Sequence, residues 1–183
     1  MKKFRTILLC LLLTSVAFGQ EKRVTSIIDS TKTPELVLTQ KFTVKAPIDS
    51  VWDAYTTSKG WESWAAPLAE VDLKVGGVIK TNYNENGKIG DSTTIVTRIL
   101  NYVPKKLLTL QAELTENFPE FMKEDAKDFY NVIYFTELDN GDTYVESFGI
   151  GYKNNPKYLA LMNYFIPANE MTLMKLIELL EKE

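Results

Sequence analysis

The chain of 183 residues has no histidine and a single cysteine, Cys10. Without histidine it lacks the side chain that most often serves as a general base or neutral metal ligand near pH 7. The common nucleophile–base pairs of hydrolases are therefore excluded, as is a zinc site built from Cys and His. There is no Gly-x-Ser-x-Gly elbow, no Ser-x-x-Lys pair and no glycine-rich phosphate loop; Gly149-Ile150-Gly151 lacks a third glycine and any βαβ setting. No cofactor and no metal is expected, and the chain reads as a binding protein rather than an enzyme.

Long apolar runs are also scarce. The one that stands out covers residues 7–18, behind Lys2, Lys3 and Arg5 and ahead of Ala17-Phe18-Gly19. A positive start, a short apolar stretch and small residues before a cut form the layout of a secretory signal peptide. The run is too short to span a bilayer, which takes roughly 17–25 apolar residues. A lipid anchor at Cys10 is disfavoured, because Leu9 precedes the cysteine and most of the apolar run follows it. The expected products are a signal peptide over 1–19 and a mature chain from Gln20, periplasmic or extracellular. Removing three basic residues leaves 18 Lys and Arg against 24 Asp and Glu, a formal charge of −6. That balance gives no electrostatic reason to bind nucleic acid or an anionic membrane surface. The mature chain has no cysteine, so its stability must come from its core.

Residues 20–34 are polar, with two isoleucines, and read as an N-terminal tail; 35–183 read as one domain. Alternation predicts strands over 36–44, 71–75, 78–83, 93–103, 107–114, 130–138 and 143–150. Helices are predicted around Pro47–Tyr55, over 59–64, after Pro119, and from 156 to 181, the last kinked at Pro167. Asn86-Gly87 and Asn140-Gly141 read as hairpin turns. The spacing Asn82, Asn84, Asn86, Gly87 imitates the start of a calcium loop, but its early ligands are amides and position twelve is Thr93, so the hairpin is preferred. Glu113, Glu116, Glu120, Glu124, Asp125 and Asp128 read as a solvated acidic face. A meander of strands with segregated helices makes an antiparallel α+β domain.

The string Phe42-x-Val44-x-Ala46-Pro47-x-x-x-Val51-Trp52-Asp53-Ala54, followed by Thr56, Trp61, Trp64 and Val71-Asp72-Leu73-Lys74-Val75-Gly76-Gly77, forms a pattern with later parts. Those parts are Pro104-Lys105-Lys106-Leu107 and Asn140-Gly141-Asp142-Thr143, then the long final helix. The combination resembles the SRPBCC superfamily, also called START-like or birch-pollen-allergen-like. Within it the closest likeness is to the activator of heat-shock-protein-90 ATPase homologue group. The resemblance covers about residues 36–182. It implies a helix grip, in which a curved antiparallel sheet wraps a long C-terminal helix around a hydrophobic cavity.

In such a fold the final helix presents an apolar stripe of Met162, Phe165, Ile166, Leu173, Leu176, Ile177 and Leu180, interrupted by Asn169. Asn169 bonds a backbone carbonyl freed by Pro167, faces the cavity and orients a ligand, or is simply exposed. Trp61, Trp64, Tyr83, Leu110, Tyr134 and Val145 would supply the apolar wall, with Ser147 as a second polar contact. Along the last strand Val145, Ser147 and Gly149 should face inward and Tyr144, Glu146 and Phe148 outward. The reading that follows is an exported binding protein for a small hydrophobic or lipid-like ligand. The alternatives are an interaction or chaperone-related module, with a protein partner or a homodimer through the outer sheet face, and a cyclase- or hydrolase-type enzyme. N-terminal sequencing of protein exported by its own source should return Gln20 as the first residue; a mature start at Met1 contradicts the signal peptide.

Overall fold

A computed structural model describes residues 22–31, 34–116 and 118–182. The expected signal peptide and its cleavage point lie outside the described residues.

Two strands open the chain, β1 (Thr25–Asp29) and β2 (Glu35–Val44). Helices α1 (Ile48–Thr56) and α2 (Ser58–Trp64) follow. Four strands come next: β3 (Leu68–Val71), β4 (Val78–Asn82), β5 (Ile95–Val103) and β6 (Leu107–Ala112). Short helix α3 (Glu120–Glu124) precedes β7 (Tyr130–Glu137) and β8 (Thr143–Lys153), and α4 (Pro156–Leu180) ends the chain. The strands form one antiparallel sheet in the order β1-β2-β8-β7-β6-β5-β4-β3. This curved sheet and its long C-terminal helix are the expected helix-grip α+β fold.

The structure corrects three local expectations. The segment read as a tail contains β1, which pairs along β2 from Thr25↔Lys41 to Asp29↔Val37. The strand expected over 71–75 lies earlier, at β3. Asn86-Gly87 is not a tight hairpin: Gly87 is absent from the positive-φ residues, and a loop over 83–94 joins β4 to β5. That loop is organised by Asn82 and Asp91. Asn82 Nδ2 donates to Asp91 Oδ1 at 2.9 Å and to the Lys88 carbonyl at 3.1 Å. The backbone N–H of Lys88, then the Thr93 hydroxyl and N–H, hold the Asp91 carboxyl down at about 2.

Local chemistry explains the helix starts. Thr57 caps α2 by accepting the Gly60 N–H at 2.9 Å, and Asn155 caps α4 by accepting those of Lys157 and Tyr158. Pro156 occupies the first turn of α4, where no N–H is missed.

The interior divides into two apolar clusters. One holds Phe42, Val44, Trp52, Phe135 and Val145 against Leu176, Ile177 and Leu180 at the C-terminal end of α4. The other holds Leu36, Leu38, Met122 and Phe129 against Tyr158 and Met162 at its N-terminal end. Each end of α4 also has a polar tie. Arg23 forks onto Glu181, with Nη2–Oε1 at 2.5 Å and Nη1–Oε2 at 3.2 Å. At the other end Asp125, expected on a solvated face, is buried. It accepts Lys153 Nζ at 2.6 Å and the Tyr158 hydroxyl at 2.7 Å.

Those two bonds, that of Lys153 first, lower the Asp125 carboxyl. A carboxylate held below its unfolded value contributes stability above about pH 4, which is lost as pH falls through the folded value. Melting temperatures of the wild type and Asp125→Asn should therefore differ most at neutral pH and converge below about pH 4. A gap constant from pH 7 to pH 3 contradicts the role given to this carboxylate.

Candidate functional site

The inward residues of β2 are Leu36, Leu38, Gln40, Phe42 and Val44, all buried. Gln40 is the one polar member, and it lies between the two clusters. Opposite it on α4 is Asn169, whose Nδ2 donates to Gln40 Oε1 at 3.3 Å; Gln40 Nε2 donates in turn to Ser26 Oγ at 3.0 Å. Asn169 is exposed and bonds a side chain, not the backbone carbonyl freed by Pro167. Two residues that would otherwise join the clusters are amides, and a cleft of about 320 Å³ opens beside them over the concave face of the sheet.

The floor of the cleft crosses the sheet from β2 to β4. β2 provides Leu38 and Gln40, β8 Ser147 and Gly149, β7 Asn131, β6 Leu110 and Ala112, β5 Ile95 and Thr97, and β4 Thr81. Trp61 of α2, Tyr83 and Asn169 rise around it. Ser147 Oγ donates to Asn131 Oδ1 at 2.6 Å. The Trp61 indole N–H is tied to the Tyr55 carbonyl at 2.7 Å, so its ring is held in place. Among the described residues that line the cleft, none is charged.

The nine residues expected at the site separate into groups. Trp61, Tyr83, Leu110, Ser147 and Asn169 come together around the cleft. Phe165 lines a contiguous recess of about 100 Å³ beneath α4, with Met122, Leu161 and Met162; Leu38, Tyr152 and Asn169 border both spaces. Trp64 lies behind the wall, its ring 5.1 Å from that of Tyr55 and its indole N–H bonded to the Ala54 carbonyl at 3.0 Å. Val145 faces inward as expected but belongs to the closed cluster around Phe135. Tyr134 is misplaced: it pairs with Glu146, whereas Phe135 pairs with Val145, so Tyr134 lies on the outer face. There its ring meets that of Phe148 edge-on at 6.0 Å. The inward and outward phase expected for Tyr144 to Gly149 agrees with this register.

Sequence reasoning missed Tyr152, Phe129, Asn131, Gln40, Thr81 and Thr97. Gln40 was within reach, since it is the one polar residue in the β2 alternation. Tyr152 was hidden by a bulge. Leu36 pairs with Tyr152 and Leu38 with Gly149, so β8 carries one extra residue there. Gly151 allows it at φ +87°, where a Cβ would lie 1.6 Å from the Asp128 carbonyl oxygen.

A sequence model of the family described as "Activator of Hsp90 ATPase homolog 1-like protein" matches residues 45–181. Among curated proteins, none matches the chain. Solved structures share the fold. A protein of Mesorhizobium loti is 18% identical with a TM-score of 0.60, over 80% of this chain and 97% of that one. The Aha1 dimer of Colwellia psychrerythraea is 19% identical with a TM-score of 0.61, over 79% and 96%. CalU16 of Micromonospora echinospora is 19% identical with a TM-score of 0.58, over 86% and 83%.

Proposed function

The chain belongs to the family of Activator of Hsp90 ATPase homolog 1-like proteins, and on that premise we propose that it is an exported binding protein for a small apolar ligand held in the cleft under α4. The observation that carries this reading is the open cleft between two closed clusters. Its place is where a packed interior would be filled with larger side chains. Instead it is floored by Ser147, Gly149 and Ala112 and bordered by Trp61, Tyr83 and Tyr152. Apolar walls with a few fixed polar groups are the usual makeup of a small-molecule site. The volume sits at the small end of such sites, which run roughly 300–1,000 Å³.

The reading is one of binding rather than turnover. The cleft lining offers hydroxyls and amides but no charged acid or base. Among the described residues, no group of three carboxylates could hold a metal, and no helix is long and apolar enough to cross a membrane. Export rests on residues 1–19 of the sequence.

A second reading, an interaction module, is favoured by the outer face. Tyr134 is 47% exposed there beside Phe148 and borders a broad shallow depression with Val103, Pro104 and Leu107. The Colwellia relative is described as a dimer.

Native mass spectrometry of untagged protein from its own source separates the two. The first reading expects one chain carrying a small adduct that organic solvent releases. A mass of two bare chains favours the second, and a single bare chain in every preparation contradicts the first.

A further inference from the structure

The cleft's polar groups are neutral and unevenly spread, and their spacing bears on the kind of ligand that fits. This argument rests on the small-ligand reading of the cleft. On one side, Ser147 of β8 and Asn131 of β7 are bonded to each other through the Asn131 carbonyl oxygen. That bond leaves the Asn131 Nδ2 as a donor with no protein partner among the described residues. On the same side, Asn169 spends its Nδ2 on Gln40, which leaves its Oδ1 as an acceptor. On the other side are the hydroxyls of Thr97 on β5 and Thr81 on β4, also without a side-chain partner among the described residues. Between them lies β6, which presents only Leu110 and Ala112.

The register fixes the distance. Asn131 pairs with Leu110, and Thr97 pairs with Ala112, so two strand steps separate the polar sides. Strands lie about 4.8 Å apart, which puts the two polar sides on the order of 10 Å from one another. A ligand filling this floor meets a hydrogen-bonding end, an apolar middle and a second hydrogen-bonding end. Trp61 and Tyr83 border the Thr97 and Thr81 side of the cleft with aromatic rings, whose faces suit a flat body.

The absence of charge in the lining acts as a filter. On the Thr81 and Thr97 side, where Thr81 is buried, an ionised ligand group finds no opposite charge, and such a group is costly to bury unpaired. Fatty acids and other carboxylates are disfavoured for that reason, while alcohols, phenols and amides can exchange their water hydrogen bonds for those of the floor.

We infer that the cleft selects an uncharged ligand with a flat apolar body and a hydrogen-bonding group at each end, spaced to reach Asn131 on one side and Thr97 on the other. The two-ended character distinguishes it from a simple amphiphile, for which one polar cluster would be enough.

Calorimetric titration with three rigid probes tests this: 4,4′-biphenol, 4-phenylphenol with a single hydroxyl, and 4-biphenylcarboxylate. The bisphenol should bind about tenfold more tightly than the monophenol, and the carboxylate more weakly than both. Thr97→Val, which keeps the side-chain shape, should remove the bisphenol's advantage over the monophenol. Equal affinities for the two phenols, an advantage that survives in Thr97→Val, or tighter binding of the carboxylate each overturn the inference while leaving the cleft a ligand site. Failure of all three probes to bind overturns the small-ligand reading together with it.

Discussion

The interior of this protein turns on one hydrogen-bonded pair, Asn169 on α4 and Gln40 on β2. Both residues occupy positions that the surrounding alternation would give to leucine or valine. If they were apolar, the clusters around Phe42 and around Leu38 could merge, and α4 could close along the sheet. Gln40 is buried and Asn169 is exposed beside it; the buried amide must keep its hydrogen bonds, because leaving a buried polar group unpaired costs on the order of 1–3 kcal/mol. The pair satisfies part of that demand by bonding to each other and to Ser26. The rest is met by leaving the seam open, and the open seam is the cleft.

An open seam needs firm ends. The C-terminal end of α4 buries Leu176, Ile177 and Leu180, and Arg23 ties Glu181 to the start of the sheet. The N-terminal end buries Tyr158 and Met162, and Asp125 links α4 to β8 through Tyr158 and Lys153. The middle of α4 is different: Tyr164 and Met171 are exposed, and Pro167 removes a helical hydrogen bond there. The helix is thus clamped at both ends and bridges the cleft between them.

Much of the architecture was legible from periodicity and punctuation. Alternating residues located β2 and β4 to β8 within a few positions, and Pro47, Pro156 and Asn140-Gly141 marked real boundaries. What was not legible depends on pairing. β1 is a five-residue edge strand, Thr-Ser-Ile-Ile-Asp, whose identity comes from its hydrogen bonds to β2 rather than from its own pattern. Tyr134 was assigned to the wrong face because parity along β7 cannot be read without its register to β8. Tyr152 reached the cleft through a one-residue bulge that reverses the parity of β8. Asp91 gathered its loop by contacts across the turn, which no spacing rule anticipates. The cleft residues that were found, Trp61, Tyr83, Leu110, Ser147 and Asn169, combine the family resemblance with a helical stripe in which a single amide stood out.

The central claim is that the two amides are kept for an open site and not for stability. Urea unfolding of the double variant Gln40→Leu/Asn169→Leu, followed by tryptophan fluorescence, tests it most directly. Two leucines facing each other across the seam join the clusters; full burial of a leucine contributes roughly 1.5–3 kcal/mol relative to exposure, and position 169, exposed here, gains a part of that. The account predicts a midpoint at or above that of the wild type, with an unfolding free energy higher by about 1 kcal/mol or more. A variant less stable than the wild type by a similar amount would mean that the amides hold the fold together, and would contradict the account.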